Sequence, residues 1–199
     1  MNRRSLSLVA LLLIVSAMPL SAAQFIEQSF DAVARDADYI VRGQVLDTWA
    51  AWDDAHEVIY TYATVRVTRY FGEKAGPDTL VVREVGGTVD GYTQEAIGFP
   101  AIRRGEQVVL LLSKWENGDH RIHAYNQGKY LVRIRADRSE VLVPDPVKQG
   151  EEGITADRRF DFRTEARADE NGLSIEEFAE MVEAARAGEI VAHTVRQHD

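Results

Sequence analysis

Residues 57–71 alternate as a strand must. Ile59, Ala63, Val65 and Val67 fall on one side, and Tyr60, Tyr62, Thr64, Arg66 and Thr68 on the other. A period of two in β-branched and aromatic residues specifies a sheet with one buried face. Shorter segments repeat the pattern. Residues 39–46 put Val41, Gly43 and Val45 on one face, and a glycine in mid-strand predicts a bend or bulge there. Residues 79–85 form a further strand after the Gly76-Pro77-Asp78 turn. The continuous apolar run 107–113 predicts a strand buried on both faces. Asn117-Gly118-Asp119, Asn126-Gln127-Gly128 and Asp137-Arg138 are turn chemistry separating strands at 121–125, 129–135 and 140–143.

A helix flanks each end of this series. Ser29 is placed to cap a short one over residues 30–36. Ser174 and Glu177 have the spacing of a capping box, and Ile175, Phe178, Met181, Val182 and Ala185 then make an apolar stripe that Gly188 ends. That stripe predicts docking on the sheet or on a partner. The fold expected is mainly β: a small antiparallel OB-like barrel, or a sandwich, with a short N-terminal helix and a C-terminal helix.

The first 23 residues have the parts of an export signal. Arg3 and Arg4 lead, residues 8–15 are unbroken apolar, Pro19 breaks the run, and Ser21-Ala22-Ala23 offers small residues for cleavage. The apolar run is too short for a spanning helix, which needs roughly 20 residues. The expected layout is therefore a signal peptide at 1–23, a barrel domain with its helix at 24–146, an extended arm at 147–172, and a C-terminal helix and tail at 173–199. The mature chain is expected in the periplasm or secreted, without membrane insertion. It contains no cysteine, so disulfides, thiol nucleophiles and Cys-ligated zinc are excluded. A net charge of −9, more acidic still without the two leader arginines, disfavours nucleic acid as a partner.

Catalytic and metal motifs fall short. His56-Glu57 opens like HExxH, but Tyr60 stands at the second histidine position. His120 and His123 are three apart on an expected strand and face opposite ways; they are expected to be solvated. Residues 167–178 imitate an EF-hand loop, with Arg167 and Phe178 where the first and last carboxylates belong. Asp53, Asp54 and Glu57 form an acidic turn. No catalytic residue, cofactor or metal ligand is assigned.

The glycine-spaced segment 86–105 is long for a connection in a compact domain, and such segments tend to be functional. Asp90, Tyr92, Phe99, Arg103 and Arg104 are its candidate partner-binding residues. Trp49 and Trp52 are candidates for a second aromatic patch. The alternative for the segment is a hydrophobic lid over one barrel end.

The runs ADYIVRGQVL (37–46), YTYATVRVTRYFGEK (60–74), DTLVVREVGG (78–87), GFPAIRRGEQVVLLLSK (98–114) and QGKYLV (127–132) resemble exported bacterial proteins of uncharacterised function. Their layout is similar to the netrin-like, TIMP-like OB barrel, over residues 28–135. The resemblance implies the barrel fold. The N-terminal cysteine with which TIMP-like inhibitors clamp zinc has no counterpart here, where Gln24 would lead the mature chain. The function expected is a non-catalytic module that binds a protein or peptide through residues 86–105. The alternatives are a structural component of the cell envelope, or a hydrolase using carboxylates such as Asp90 and Glu95. N-terminal sequencing of protein recovered from an exporting host should begin at Gln24; an intact Met1 start would refute the export signal.

Overall fold

The computed structural model of the protein describes residues 28–115, 117–145 and 172–188. The expected leader, the Gln24 start and nearly all of the 147–172 arm lie outside the described residues, as do Arg167, Asp169 and Asn171. Helix α1 (Phe30–Asp36) starts on Ser29, whose side chain accepts a hydrogen bond from the Ala32 N–H. Strands β1 (Tyr39–Trp52) and β2 (Ile59–Phe71) form a long antiparallel ribbon, and β3 (Thr79–Val85) pairs with β2. A separate hairpin follows, β4 (Gly87–Val89) with β5 (Tyr92–Gln94).

Strand β6 (Gln107–Lys114) returns to the first half of β1. Strand β7 (His120–Ile122) lies between β6 and β3. The order β1-β2-β3-β7-β6 thus closes on β1 as a five-stranded OB-like barrel. The sandwich alternative fails because β6 joins the two edges. All pairings are antiparallel except β3 with β7, where Val82 meets His120 in parallel. Strands β8 (Lys129–Ile134), β9 (Glu140–Pro144) and β10 (Leu173–Ser174) continue from β6 as an outer leaf that leads into helix α2 (Ile175–Ala187).

Two cores share one strand. Val108, Leu110 and Leu112 of β6 enter the barrel with Val41, Val45, Ala63, Val65, Leu80 and Val82. Val109 and Leu111 face outward, under both helices. All five are fully buried, as the unbroken apolar run predicts. In the outer core Phe178 takes the edges of Phe30, Phe71 and Tyr130 at 5.2–5.5 Å between ring centres. The apolar stripe of α2 therefore docks on the barrel. The capping box is present: the Glu177 N–H donates to Ser174 Oγ, and the Ser174 N–H donates to Glu177 Oε2. The helix ends are tied reciprocally, Arg35 donating to the Ala185 carbonyl of α2 and Arg186 to the Ala37 carbonyl after α1.

Gly43 sits at the expected bulge, where the β1–β2 register shifts. A Cβ there would lie 2.6 Å from the Arg66 carbonyl oxygen, so only glycine lets the ribbon curl into the barrel.

Three boundaries depart from the sequence reading. β1 runs six residues past Leu46, because β2 is long enough to pair with it as far as Trp52. Segment 86–105 is partly a hairpin rather than a loop. The expected strand 121–125 stops at Ile122, since Ala124 and Tyr125 take left-handed backbone angles into a 3₁₀ turn over Tyr125–Gly128. Replacing Phe178 with alanine should lower unfolding stability by about 3–5 kcal/mol in a urea titration; a change under about 1 kcal/mol would show that α2 is not part of the cooperative unit.

Candidate functional site: the aromatic rim of the barrel

Beyond the closed barrel the β1–β2 ribbon projects, and alternation separates its two tryptophans. Trp49 pairs with Tyr62, out of phase with the interior residue Ala63, so both rings stand on the outer face. They stack at 5.3 Å, and Trp49 stays 43 % exposed. Trp52 pairs with Ile59, in phase with Ala63, and lies on the opposite face. There it stacks on His56 at 6.2 Å and meets the Tyr92 edge at 6.0 Å. The two tryptophans thus serve two faces rather than one patch.

The β4–β5 hairpin folds back over that inner face. The Gly86 N–H donates to the Ile59 carbonyl, the Ile59 N–H donates to Gln94 Oε1, and Thr61 Oγ1 donates to the Gly86 carbonyl. Gly87, at φ +141°, approaches so closely that a Cβ would lie 2.7 Å from Thr61 Oγ1. Asp90 occupies the exposed hairpin tip at φ 51°, and Tyr92 is 67 % exposed.

Residues 95–106 form a strap of different character. Ile97 is 60 % exposed, Pro100 is buried, and Ile102 enters the barrel core. Phe99 meets the Tyr125 ring edge-on at 4.9 Å. Arg103 pairs with Glu106 at 3.3 Å, and the exposed Arg104 approaches Asp47 at 3.9 Å. The structure therefore divides segment 86–105 between the surface and lid readings: Asp90 and Tyr92 project from the hairpin, while Phe99 and Arg103 belong to a strap held down by Ile102.

Of the remaining candidates, Asp53 accepts hydrogen bonds from the Glu57 and Val58 N–H groups, which hold its carboxyl below the usual range. It closes the β1–β2 turn. Asp90 and Glu95 are both exposed. Among the described residues no group of three or more His, Asp or Glu side chains is placed to hold a metal ion. No helix there is long and apolar enough to cross a membrane.

Three polar features were missed. His120 is buried and His123 half-buried rather than solvated, and burial lowers the pKa of each. His120 Nδ1 lies 3.3 Å from the Val81 carbonyl; His123 Nδ1 lies 2.6 Å from Ser113 Oγ. That dyad lacks an orienting third group, since His123 Nε2 is buried with no hydrogen-bond partner among the described residues. Glu84 points inward in phase with Leu80 and Val82, is 5 % exposed, and accepts a hydrogen bond from the Ile122 N–H. Burial pushes its carboxyl up to about 8. Lys129, in phase with Leu131, is enclosed between Glu106 and Asp145. The signal for Glu84 and Lys129 is their phase: each stands at an inward position of an alternating strand.

Fold and rim together define a closed OB-like barrel with a helical outer layer and an aromatic, acid-bordered end. Compared with family models, curated proteins and solved structures, the chain finds no match in any of the three.

The folded protein holds a proton on Glu84 that the unfolded chain, with its carboxyl near 4.5, has released. Stability should therefore fall as pH rises between about 4.5 and 8, by up to roughly 1.4 kcal/mol per unit, and level off above. Glu84→Gln retains the acceptor for Ile122 and should flatten that slope. Urea titrations at about pH 5 and pH 8 that show equal slopes in both proteins would refute the burial argument.

Proposed function

We propose that this chain is an exported, non-catalytic binding module that engages a protein or peptide in the periplasm or outside the cell, using the rim built by the two projecting hairpins. The observation that carries the reading is the exposure of large apolar groups around that end: Tyr92 on the hairpin and Ile97 on the strap are 67 % and 60 % exposed, and Trp49 is 43 % exposed on the other face of the ribbon. Exposed aromatic clusters on rigid hairpins are a common form of binding surface. The two-stranded β4–β5 sheet also has open edges, and an extended peptide can add to such an edge through backbone hydrogen bonds.

Asp54, Glu57, Asp90 and Glu95 are exposed on the same hairpins and their flanks. This charge favours an extended segment with basic and apolar side chains, with Tyr92 and the Trp52 ring it meets edge-on supplying the apolar contacts. The cleavable leader expected at 1–23 is the support for export.

A photo-cross-linking amino acid at position 92 or 97 should give a discrete adduct in cells, and one at the exposed Ile134 of β8 should not. Adduct formation should weaken with added salt. No adduct at either rim position, or equal labelling from position 134, would remove the proposal.

A further inference from the structure

Lys129 is wholly enclosed, and no other basic side chain among the described residues is so deeply buried. Strand alternation points it inward with Leu131, and its partner on β6 is the core residue Leu110. Its Nζ lies 2.8 Å from Glu106 Oε2 and 3.1 Å from Asp145 Oδ2, and it donates to the Ala101 carbonyl. Asp145 stands directly across the β8–β9 pair, where its N–H donates to the Lys129 carbonyl. A buried ammonium between two carboxylates is a costly structural element, and apolar residues could fill the same space without that desolvation cost. An amine held against a carboxyl group away from water is also the reactant pair of an amide.

We propose that Lys129 and Asp145 condense spontaneously to an intramolecular amide, with Glu106 relaying protons. The two carboxylates are not equivalent. Glu106 Oε2 accepts from the Arg103 N–H at 3.1 Å, and Glu106 Oε1 accepts from the Arg103 guanidinium at 3.3 Å. These donors engage both oxygens of Glu106 and fix its carboxyl group in place beside Nζ, an arrangement suited to passing protons rather than to being attacked. Among the described residues Lys129 is the sole cation paired with the Asp145 carboxylate. Asp145, not clamped by Arg103, is therefore the carboxyl group that the amine attacks.

The step needs no outside reagent. Glu106 Oε2 takes a proton from Nζ and delivers it to an Asp145 oxygen. The Nζ–Cγ bond forms and one Cγ–O bond breaks. One ammonium proton stays on the amide nitrogen, and the other two leave with the carboxylate oxygen as water. Holding the partners in contact supplies the large effective concentration that free amine and acid lack. Enclosure of Lys129 and Asp145 keeps bulk water away from the reacting groups. The link ties the end of β9 to the barrel in a chain without cysteine for a disulfide.

The test is the mass of the folded full-length chain and of its proteolytic peptides. Expected is a branched peptide containing both Lys129 and Asp145, lighter than its two parts by one water, with no tryptic cut after Lys129. Peptide evidence is decisive, since imide formation at a site such as Asp90-Gly91 also removes water; Asp145 itself precedes Pro146 and has no following N–H to form an imide. Lys129→Met and Asp145→Ala should each restore the missing water. Glu106→Gln, which keeps the size of the side chain and an acceptor for Nζ, should fold and yield unlinked peptides. A folded wild-type protein with separate Lys129 and Asp145 peptides would overturn the proposal, and a link surviving in Glu106→Gln would overturn the role given to Glu106.

Discussion

Burial of β6 on both faces is the constraint on which the rest of the molecule hangs. Val108, Leu110 and Leu112 complete the barrel interior, while Val109 and Leu111 form the floor on which both helices rest. A strand buried this way cannot lie at an edge, so it must have neighbours on both sides. β1 occupies one side, and β7 and β8 divide the other. That division closes the barrel and starts the outer leaf at once. The leaf carries the chain to β10 and α2, whose Phe178 covers the outward residues of β6.

Closing a barrel of five strands leaves two ends to be sealed. One solution here is the strap, whose Ile102 enters the core while Lys129 grips the Ala101 carbonyl beside it. The β4–β5 hairpin lies across the projecting ribbon and covers Ile59. The polar groups drawn inward by these arrangements, Glu84, Lys129, Glu106 and Asp145, each have a named hydrogen-bond or ion-pair partner. That pairing offsets part of the desolvation cost of enclosing them. It also puts the chemically distinctive groups inside the barrel wall, while the rim presents aromatic rings and surface acids.

Legibility differed from element to element for physical reasons. α1, β3 and the start of α2 were readable to the residue, because Ser29, the Gly76-Pro77-Asp78 turn and the Ser174–Glu177 box act locally. β1 was read short because its last six residues are held by cross-strand partners on β2 rather than by their own alternation. The strand proposed for 121–125 failed at two non-glycine residues with left-handed backbone, a conformation that composition does not announce. At the rim, Tyr92 and Asp90 were legible as exposed groups on a glycine-spaced segment. The stacking of Trp49 on Tyr62, and of Trp52 on His56, depends on strand register.

By itself, the sequence determined that a thiol-free, acidic chain would alternate into a small sheet flanked by two capped helices. Periodicity, turn chemistry and caps act over a few residues, and those signals are written in the chain. Only the tertiary structure decided that β3 and β7 pair in parallel to close the sheet, that Trp49 and Trp52 part company, and that Lys129 lies between Glu106 and Asp145. These outcomes join residues 16 to 38 positions apart or turn on a single step of register, and close packing alone selects among the pairings that local patterns allow.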